Sequence, residues 1–224
     1  MRAFECEAIL FDLDGVLVDS DEVVVRTWRN WAEARGIDPE RVLDVAHGRR
    51  TAETIGIVAP DLDADVEAKE LERIEAGELD GVLEIEGARE LLSSLDPDAW
   101  AVVTSGTRPL ATRRMEHVGL PLPKSMVTAE DVENGKPHPE PYLKGAKLVG
   151  AAPERCIAIE DAPSGVIAAR AAGMRVVAVA TTYQEEDLFE ADAVADALSE
   201  IRVSPTSRRG GDSRSRLELR VTIR

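Results

Sequence analysis

Four short, almost wholly apolar segments recur along the chain and predict buried strands. They are AILF (8–11), WAVVT (100–104), CIAIE (156–160) and RVVAVA (175–180). Because they lack the alternation of a half-exposed strand, we expect both faces of the sheet to be covered. A helix is predicted in PSGVIAARAAG, where Pro163 suits the first turn and Gly173 the end. Strands alternating with helices predict an α/β fold with a parallel sheet.

Residues 20–86 interrupt this alternation and contain no convincing strand. Trp28 and Trp31 lie at helical spacing behind Ser20, a favourable residue for a helix start. A second helix is predicted from about residue 63 to 76. The acidic residues of 61–72 are spaced as in a calcium loop, but the glycine at its sixth position is missing, so the segment is interpreted as a helix start. The segment is therefore interpreted as a helical insertion with both tryptophans packed inside it.

The predicted division is a Rossmann-like core, residues 1–18 and 87–203, with residues 19–86 as the helical insertion. Residues 204–224 carry six arginines against two acids on an otherwise acidic chain. The first half of this tail is polar and turn-rich, so a flexible Arg-rich tail is expected. Its last part, LELRVTI (217–223), alternates apolar and polar residues and could form an edge strand.

The formal net charge of −16 argues against nucleic-acid and anionic-membrane partners, which need clustered lysine and arginine. No apolar run approaches the roughly 20 residues of a membrane helix, and the first lacks the basic leader of a signal peptide. We therefore expect a cytoplasmic protein. A monomer or a weak dimer is also expected. Cys6 and Cys156 are too few for a disulfide framework or a zinc site, and are interpreted as reduced core thiols.

Acidic side chains follow two of the predicted strands. Asp12 and Asp14 follow the first strand, and Glu160 and Asp161 end the third. Ligands of open parallel sheets bind at this carboxyl edge, and crowded carboxyls need a cation, a shared proton or solvent exposure. Convergence of four carboxyls on one crevice favours the cation. Oxygen-only ligands suit Mg²⁺ better than zinc or copper and would leave at least one carboxylate for chemistry.

A possible phosphoryl receptor lies opposite this acidic group. Thr104 brings a hydroxyl to the end of the second strand, and Ser105 and Gly106 follow with backbone N–H groups. Lys136 lies in GKPHPEPY, a loop stiffened by three prolines. Each feature alone has an ordinary structural explanation, such as a surface turn or a helix cap. Their order, each at a strand end or in the loop beside it, favours a phosphoryl site.

These segments resemble the four motifs of the haloacid dehalogenase superfamily. FDLDGVLVDS matches the first motif, VVTSGT the second, GKPHPEPY the third and IEDAPSG the fourth. The resemblance covers residues 5 to about 203 and implies a parallel-sheet core with the helical insertion as a mobile cap. Within the superfamily the chain is most similar to the glycerol-3-phosphate and 2-deoxyglucose-6-phosphate phosphatases and to the β-phosphoglucomutase-like group.

The resemblance implies a role for each motif residue. Asp12 would be the nucleophile, and Asp14 would protonate the leaving alcohol and then accept a proton from water. Thr104 and Lys136 would bind the phosphoryl oxygens. The ligands of Mg²⁺ would be the Asp12 carboxylate, the Asp14 backbone carbonyl, Asp161 and, through a water, Glu160. The family's dehalogenases lack an aspartate at the place of Asp14, so phosphoryl transfer from an alcohol ester is expected.

Substrate choice is expected to lie in the cap, where HGRR supplies His47, Arg49 and Arg50. Arg50 aligns with an arginine of related caps and could reach substrate hydroxyls or phosphate; a solvated basic turn is the alternative. The predicted activity is Mg²⁺-dependent hydrolysis of a small sugar or polyol phosphate through an aspartyl phosphate. A β-phosphoglucomutase-like sugar phosphomutase and a non-catalytic sugar-phosphate-binding protein stay open as alternatives.

Overall fold

A computed structural model of the chain describes residues 2–46, 48–208 and 217–223. Its strands are β1 (Arg2–Cys6), β2 (Ala8–Phe11), β3 (Val18–Asp19), β4 (Leu83–Glu84), β5 (Trp100–Val103), β6 (Met126–Val127), β7 (Cys156–Glu160), β8 (Arg175–Val179), β9 (Ala193–Ala195), β10 (Ile201–Arg208) and β11 (Leu217–Ile223). Its helices are α1 (Asp21–Ala34), α2 (Pro39–Ala46), α3 (Thr51–Val58), α4 (Ala64–Gly77), α5 (Ala88–Ser93), α6 (Arg108–His117), α7 (Glu140–Val149) and α8 (Pro163–Ala171). Short 3₁₀ helices span Ala129–Asp131, Pro153–Arg155, Glu185–Leu188 and Leu198–Glu200.

The main sheet is parallel, with the strand order β6-β5-β2-β7-β8-β9. Its four central strands are the four that the apolar segments predicted, which confirms the α/β fold. Strand β2 shows why these segments are continuously apolar: Ile9 and Phe11 enter one hydrophobic cluster, and Ala8 and Leu10 enter another on the opposite face. The edge strands β6 and β9 are only two and three residues long, too short for a recognisable pattern.

Helices α1 to α4 follow β2 and enclose a hydrophobic cluster of their own. Trp28 and Trp31 are buried in it with their rings edge to face, 5.5 Å apart, so their predicted packing role is confirmed. Helix α4 starts where predicted, since the Asp63 side chain accepts a hydrogen bond from the Val66 amide. Strands β3 and β4 pair antiparallel where the chain leaves the sheet and returns to it. The domain boundaries themselves stay a prediction.

The carboxyl-terminal strands form a second sheet. Strand β11 lies between β1 and β10 and pairs antiparallel with both. LELRVTI is thus a strand, as the alternation allowed, but a central one and not an edge strand. Leu219, Val221 and Ile223 are buried against the main cluster. The prediction of a flexible tail is therefore wrong for 204–208 and 217–223, because these segments pair with each other in β10 and β11, and β11 also pairs with β1; residues 209–216 lie outside the described ranges.

Cys6 and Cys156 are both free and buried, as predicted. Burial is the main cause that raises the pKa of the Cys6 thiol to about 12, so the thiolate is disfavoured at neutral pH. Within the described residues, no helix is long and apolar enough to cross a membrane.

Candidate active site

The centre of the site is a buried lysine between two carboxylates. Strands β2 and β7 are parallel neighbours with Phe11 opposite Ile159, so Asp12 and Glu160 emerge side by side at their carboxyl ends. The Lys136 Nζ atom lies 2.9 Å from Asp12 Oδ1 and 2.6 Å from Glu160 Oε1. The Tyr142 hydroxyl also donates a hydrogen bond to Glu160 Oε1. The structure thus brings together residues from three separate motifs.

Asp161 completes a cluster of three buried carboxylates. One oxygen from each of Asp12, Glu160 and Asp161 lies within 4.8 Å of the others. Two glycines leave the space for them: a Cβ on Gly15 would lie 2.0 Å from Asp161 Oδ2, and one on Gly165 would lie 1.9 Å from Glu160 Oε1. Gly15 also has a φ of +78°, which favours glycine. An all-oxygen donor set of this size fits a hard divalent cation.

The charges of the cluster do not balance by themselves. When all three carboxyls are ionised, Lys136 leaves two negative charges uncompensated within a buried space. Burial raises the pKa of Asp12 to about 7, although Lys136 opposes the rise, and burial raises the pKa of Asp161 well above its usual range. Burial alone would lower the pKa of Lys136, but Asp12 and Glu160 raise it above its usual value. A divalent cation would supply the missing positive charge.

Asp14 lies beside this cluster, not within it. Its Oδ1 atom accepts hydrogen bonds from Ser20 Oγ at 2.7 Å and from Arg114 Nη1 at 2.8 Å. Ser20 starts α1 as predicted, but its hydroxyl bonds Asp14 and makes no capping bond to the helix. The side chain of Asp14 is therefore separate from the carboxylates that face Lys136.

The sequence did not indicate one part of the site, a charged pair behind Asp14. Arg114 of α6 is buried and donates from its other terminal nitrogen to Glu75 Oε2 at 3.0 Å. Glu75 belongs to α4 and is also buried. Burial raises the pKa of Glu75 to about 7 despite the opposing effect of Arg114. No local pattern links two residues 39 positions apart on different helices.

Thr104, Ser105 and Gly106 lie at the carboxyl end of β5, as predicted. Thr104 is buried, and its Oγ1 accepts a hydrogen bond from the Gly106 amide at 3.1 Å. Ser105 Oγ donates to the carbonyl of Gly48 in the turn between α2 and α3, at 2.9 Å. The Gly106 amide is thus engaged by Thr104 here, whereas the sequence suggested an amide open to a ligand.

The basic cap turn divides between two environments. Arg49 lines the large cavity over the site. Arg50 instead pairs with Glu53 and donates to the carbonyls of Val132 and Glu133, at 3.2 and 2.9 Å respectively. These bonds join the cap to the loop that carries Lys136. His47, the third predicted residue of this turn, lies outside the described residues.

The cavity has a volume of about 1450 Å³ and lies between the sheet and the inserted helices. Its floor includes Asp12, Asp14, Thr104 and Asp161, and its walls include residues of α1 and α4. The volume accommodates a small organic molecule above the carboxylate cluster. The parallel sheet and the site at its carboxyl edge together define an α/β enzyme.

Comparison with known proteins gives the family. Residues 9–179 match the family described as haloacid dehalogenase-like hydrolase. The match spans most of the chain, which therefore belongs to this family of hydrolases.

Several individual proteins resemble the chain over most of its length. Hexitol phosphatase A of Escherichia coli is 45% identical over 204 aligned positions, and the alignment covers 89% of this chain and 94% of that protein. Glycerol-1-phosphate phosphohydrolase 2 of Saccharomyces cerevisiae is 36% identical over 217 aligned positions, and the alignment covers 90% of this chain and 86% of that protein. A crystal structure of β-phosphoglucomutase from Clostridium difficile superposes with a TM-score of 0.77 at 25% identity, covering 88% and 93%.

The predicted superfamily and its fold are confirmed by these comparisons. The predicted enzyme class, a phosphoric monoester hydrolase, is confirmed by the relatives in the same family that are named phosphatases. For the predicted magnesium site, the structure shows a buried acidic cluster that could bind a metal ion.

Proposed function

We propose that the chain is a Mg²⁺-dependent phosphatase of small sugar or polyol phosphates that works through an aspartyl phosphate. One observation carries the proposal: Asp12, Glu160 and Asp161 meet in a buried cluster that Lys136 only partly neutralises. A centre that combines surplus carboxylates with a fixed ammonium suits a cation and a phosphoryl group together.

The metal would be held by the carboxylates of Asp12 and Asp161 and by the backbone carbonyl of Asp14, with Glu160 acting through a water. These are oxygen donors, which Mg²⁺ prefers. When bound, Mg²⁺ would offset the negative charge of the phosphoryl group and of the carboxylates around it. Lys136 offsets part of the same charge from the side of Glu160, at a salt-bridge distance of 2.6 Å.

In the first step, a carboxylate oxygen of Asp12 bonds to phosphorus, and the bond between phosphorus and the ester oxygen breaks. Asp14 gives its proton to the departing alkoxide, which leaves as an alcohol. The hydroxyl of Thr104 and the ammonium of Lys136 hold the phosphoryl oxygens during the transfer. Lys136 is suited to this because its Nζ already lies 2.9 Å from Asp12 Oδ1.

In the second step, the ionised Asp14 accepts a proton from a water molecule, whose oxygen bonds to phosphorus. The bond between phosphorus and Asp12 breaks, which restores the carboxylate and releases inorganic phosphate. Asp14 can serve both steps because Ser20 and Arg114 hold it outside the Lys136 cluster. Two easier steps replace a reaction whose uncatalysed rate is among the slowest known.

The proposed substrate class rests on the relatives and on the cavity. The most similar proteins described above are named for hexitol and glycerol phosphates, so small polyol phosphates are the first candidates. The cavity, about 1450 Å³, accepts such molecules, and Arg49 on its wall supplies a cation for their oxygens. His47 and Arg50 remain predicted cap contacts, and Arg50 would have to leave its bonds to Glu53 and to the carbonyls of Val132 and Glu133 to reach substrate.

The proposal is tested by a phosphate-release screen with purified protein, Mg²⁺ and a panel of sugar, polyol and nucleotide monophosphates. We expect release from polyol or sugar phosphates and little from nucleotides. Binding of sugar phosphates without release from any ester would instead favour a non-catalytic binding protein.

One observation favours the phosphomutase alternative: the chain superposes on a β-phosphoglucomutase. It is tested by product analysis with the anomers of glucose 1-phosphate. Accumulation of glucose 6-phosphate without free phosphate would contradict hydrolysis as the main activity.

A further inference from the structure

On the basis of the proposed function, we propose that Arg114 is a positioning residue for Asp14 and that Glu75 of the inserted helix α4 holds Arg114 in place. Cap and core would then share one contact that orients the proton donor. The inference starts from the hydrogen bonds around the guanidinium group.

Arg114 connects two carboxylates with its two terminal nitrogens. Nη1 lies 2.8 Å from Asp14 Oδ1, and Nη2 lies 3.0 Å from Glu75 Oε2. The planar guanidinium fixes the angle between these bonds, which a lysine could not do. Only 3% of the Arg114 side chain is exposed, so the geometry is set by packing and not by solvent.

Two donors bond the same oxygen of the Asp14 carboxyl group. Both Ser20 Oγ and Arg114 Nη1 are close to Oδ1, and a guanidinium can only donate. These two bonds hold the carboxyl plane of Asp14 from behind, through Oδ1.

Glu75 holds Arg114 from the side of the cap. Its side chain is 8% exposed, and α4 packs on α6 through this pair. Removing one partner of a buried ion pair leaves an unpaired charge, which is strongly unfavourable. Arg114 is thus held in its bridging position only while α4 rests against the core, so the orientation of Asp14 depends on the placement of the cap.

A comparison of two esters tests the inference. Glycerol phosphate has an alkoxide leaving group that needs the proton, whereas p-nitrophenyl phosphate releases a phenolate that leaves without one. For Arg114→Met we expect kcat/KM to fall about tenfold more on glycerol phosphate than on p-nitrophenyl phosphate, within the about 100- to 10,000-fold that a positioned proton donor contributes. Glu75→Gln should show the same preference with a smaller loss, and the double variant should resemble Arg114→Met.

Three features make the outcome decisive. The ratio of kcat/KM on the two esters does not depend on how much of the protein is folded. If Arg114→Met folds poorly, Arg114→Lys keeps the buried charge and should show the same selective loss. Arg113→Met is the matched control, since Arg113 is exposed on the same helix, and should leave both activities unchanged.

Equal losses on both esters, or none, in the Arg114 variants would overturn the positioning role while leaving the phosphatase proposal intact. If the wild-type protein released no phosphate from any ester of the full panel, the phosphatase proposal would fall, and the positioning role with it.

Discussion

Asp12, Glu160 and Asp161 are carboxyls of a type that folded proteins usually keep in water. Each is buried, and an ion transferred from water to a protein interior costs several kcal/mol unless it is paired. Lys136 pairs with two of them and cannot neutralise all three. A structural ion pair would need one carboxylate for one lysine, so the surplus of acids supports the proposed cation site.

Glu75 gives a prediction about pH and stability. Its pKa in the folded protein is about 7, above the usual 4.5, chiefly because of burial. The folded state therefore binds the proton of Glu75 more tightly than the unfolded state does. The resulting stabilisation of the fold is complete below about pH 4.5 and is lost as the pH rises through about 7. Over this range we expect Glu75 to lower the free energy of unfolding by an amount on the order of 3 kcal/mol.

Urea unfolding at a series of pH values, with chelator present, compares wild type with Glu75→Gln. In Glu75→Gln the free energy of unfolding should fall less steeply than in wild type between about pH 4.5 and 7. Parallel curves for the two proteins between pH 5 and about 7 would show that Glu75 keeps an ordinary pKa.

At the scale of elements, helix α8 starts against the carboxylate cluster. Gly165 lies in its first turn, where a Cβ would lie 1.9 Å from Glu160 Oε1. We expect Gly165→Ala to displace the Glu160 carboxylate from Lys136, to destabilise the fold by about 1–3 kcal/mol, and to weaken phosphatase activity. Thermal unfolding and phosphate release measure the two effects.

Gly56 of α3 is the matched control. A Cβ there meets nothing within 4 Å, so Gly56→Ala should leave activity unchanged and stabilise the fold by about 0.5–1 kcal/mol. If Gly165→Ala behaved like Gly56→Ala, the close packing of α8 on Glu160 would be wrong.

Strand β11 gives a second prediction at this scale. Val221 is fully buried in the main cluster, and Thr222 points to the other, half-buried face of the strand. Val221→Ala removes two buried methyl groups and should cost about 2 kcal/mol in the free energy of unfolding. Thr222→Ala should change it by about 0.5 kcal/mol or less. Similar values for both substitutions in urea unfolding would contradict a packed central strand.

At the scale of the whole molecule, the site joins segments that are far apart in the chain. Asp12 directly follows β2 near the amino terminus, and Asp161 directly follows β7, about 150 residues later. A cation bound to both would stabilise only the folded state, by about 2.7 kcal/mol at 100 times its dissociation constant. We therefore expect Mg²⁺ to raise the unfolding temperature and a chelator to reverse the effect.

Asp161→Asn is the control for this measurement and should lose most of the Mg²⁺ effect. An equal rise in the variant would place the bound ion elsewhere. No change in either protein would argue against a magnesium site in this cluster.

The sequence predicted those parts of the molecule that depend on local patterns. Central strands are apolar throughout, and parallel topology then places the motif residues together at one edge, as found for Asp12, Lys136 and Glu160. Other features depend on partners distant in the chain. The central position of β11 follows from β1 and β10, and the pairing of Arg114 with Glu75 follows from the packing of α4 on α6, which no short pattern encodes.

The central claim is that Asp12 receives the phosphoryl group, and its most direct test is acid quenching during turnover. Protein with Mg²⁺ and a polyol phosphate is quenched, digested and examined by mass spectrometry. We predict a phosphoryl group on the peptide that contains Asp12, at that residue, and neither this adduct nor turnover in Asp12→Asn. A phosphoryl group on another residue, or full phosphate release by Asp12→Asn, would contradict the mechanism.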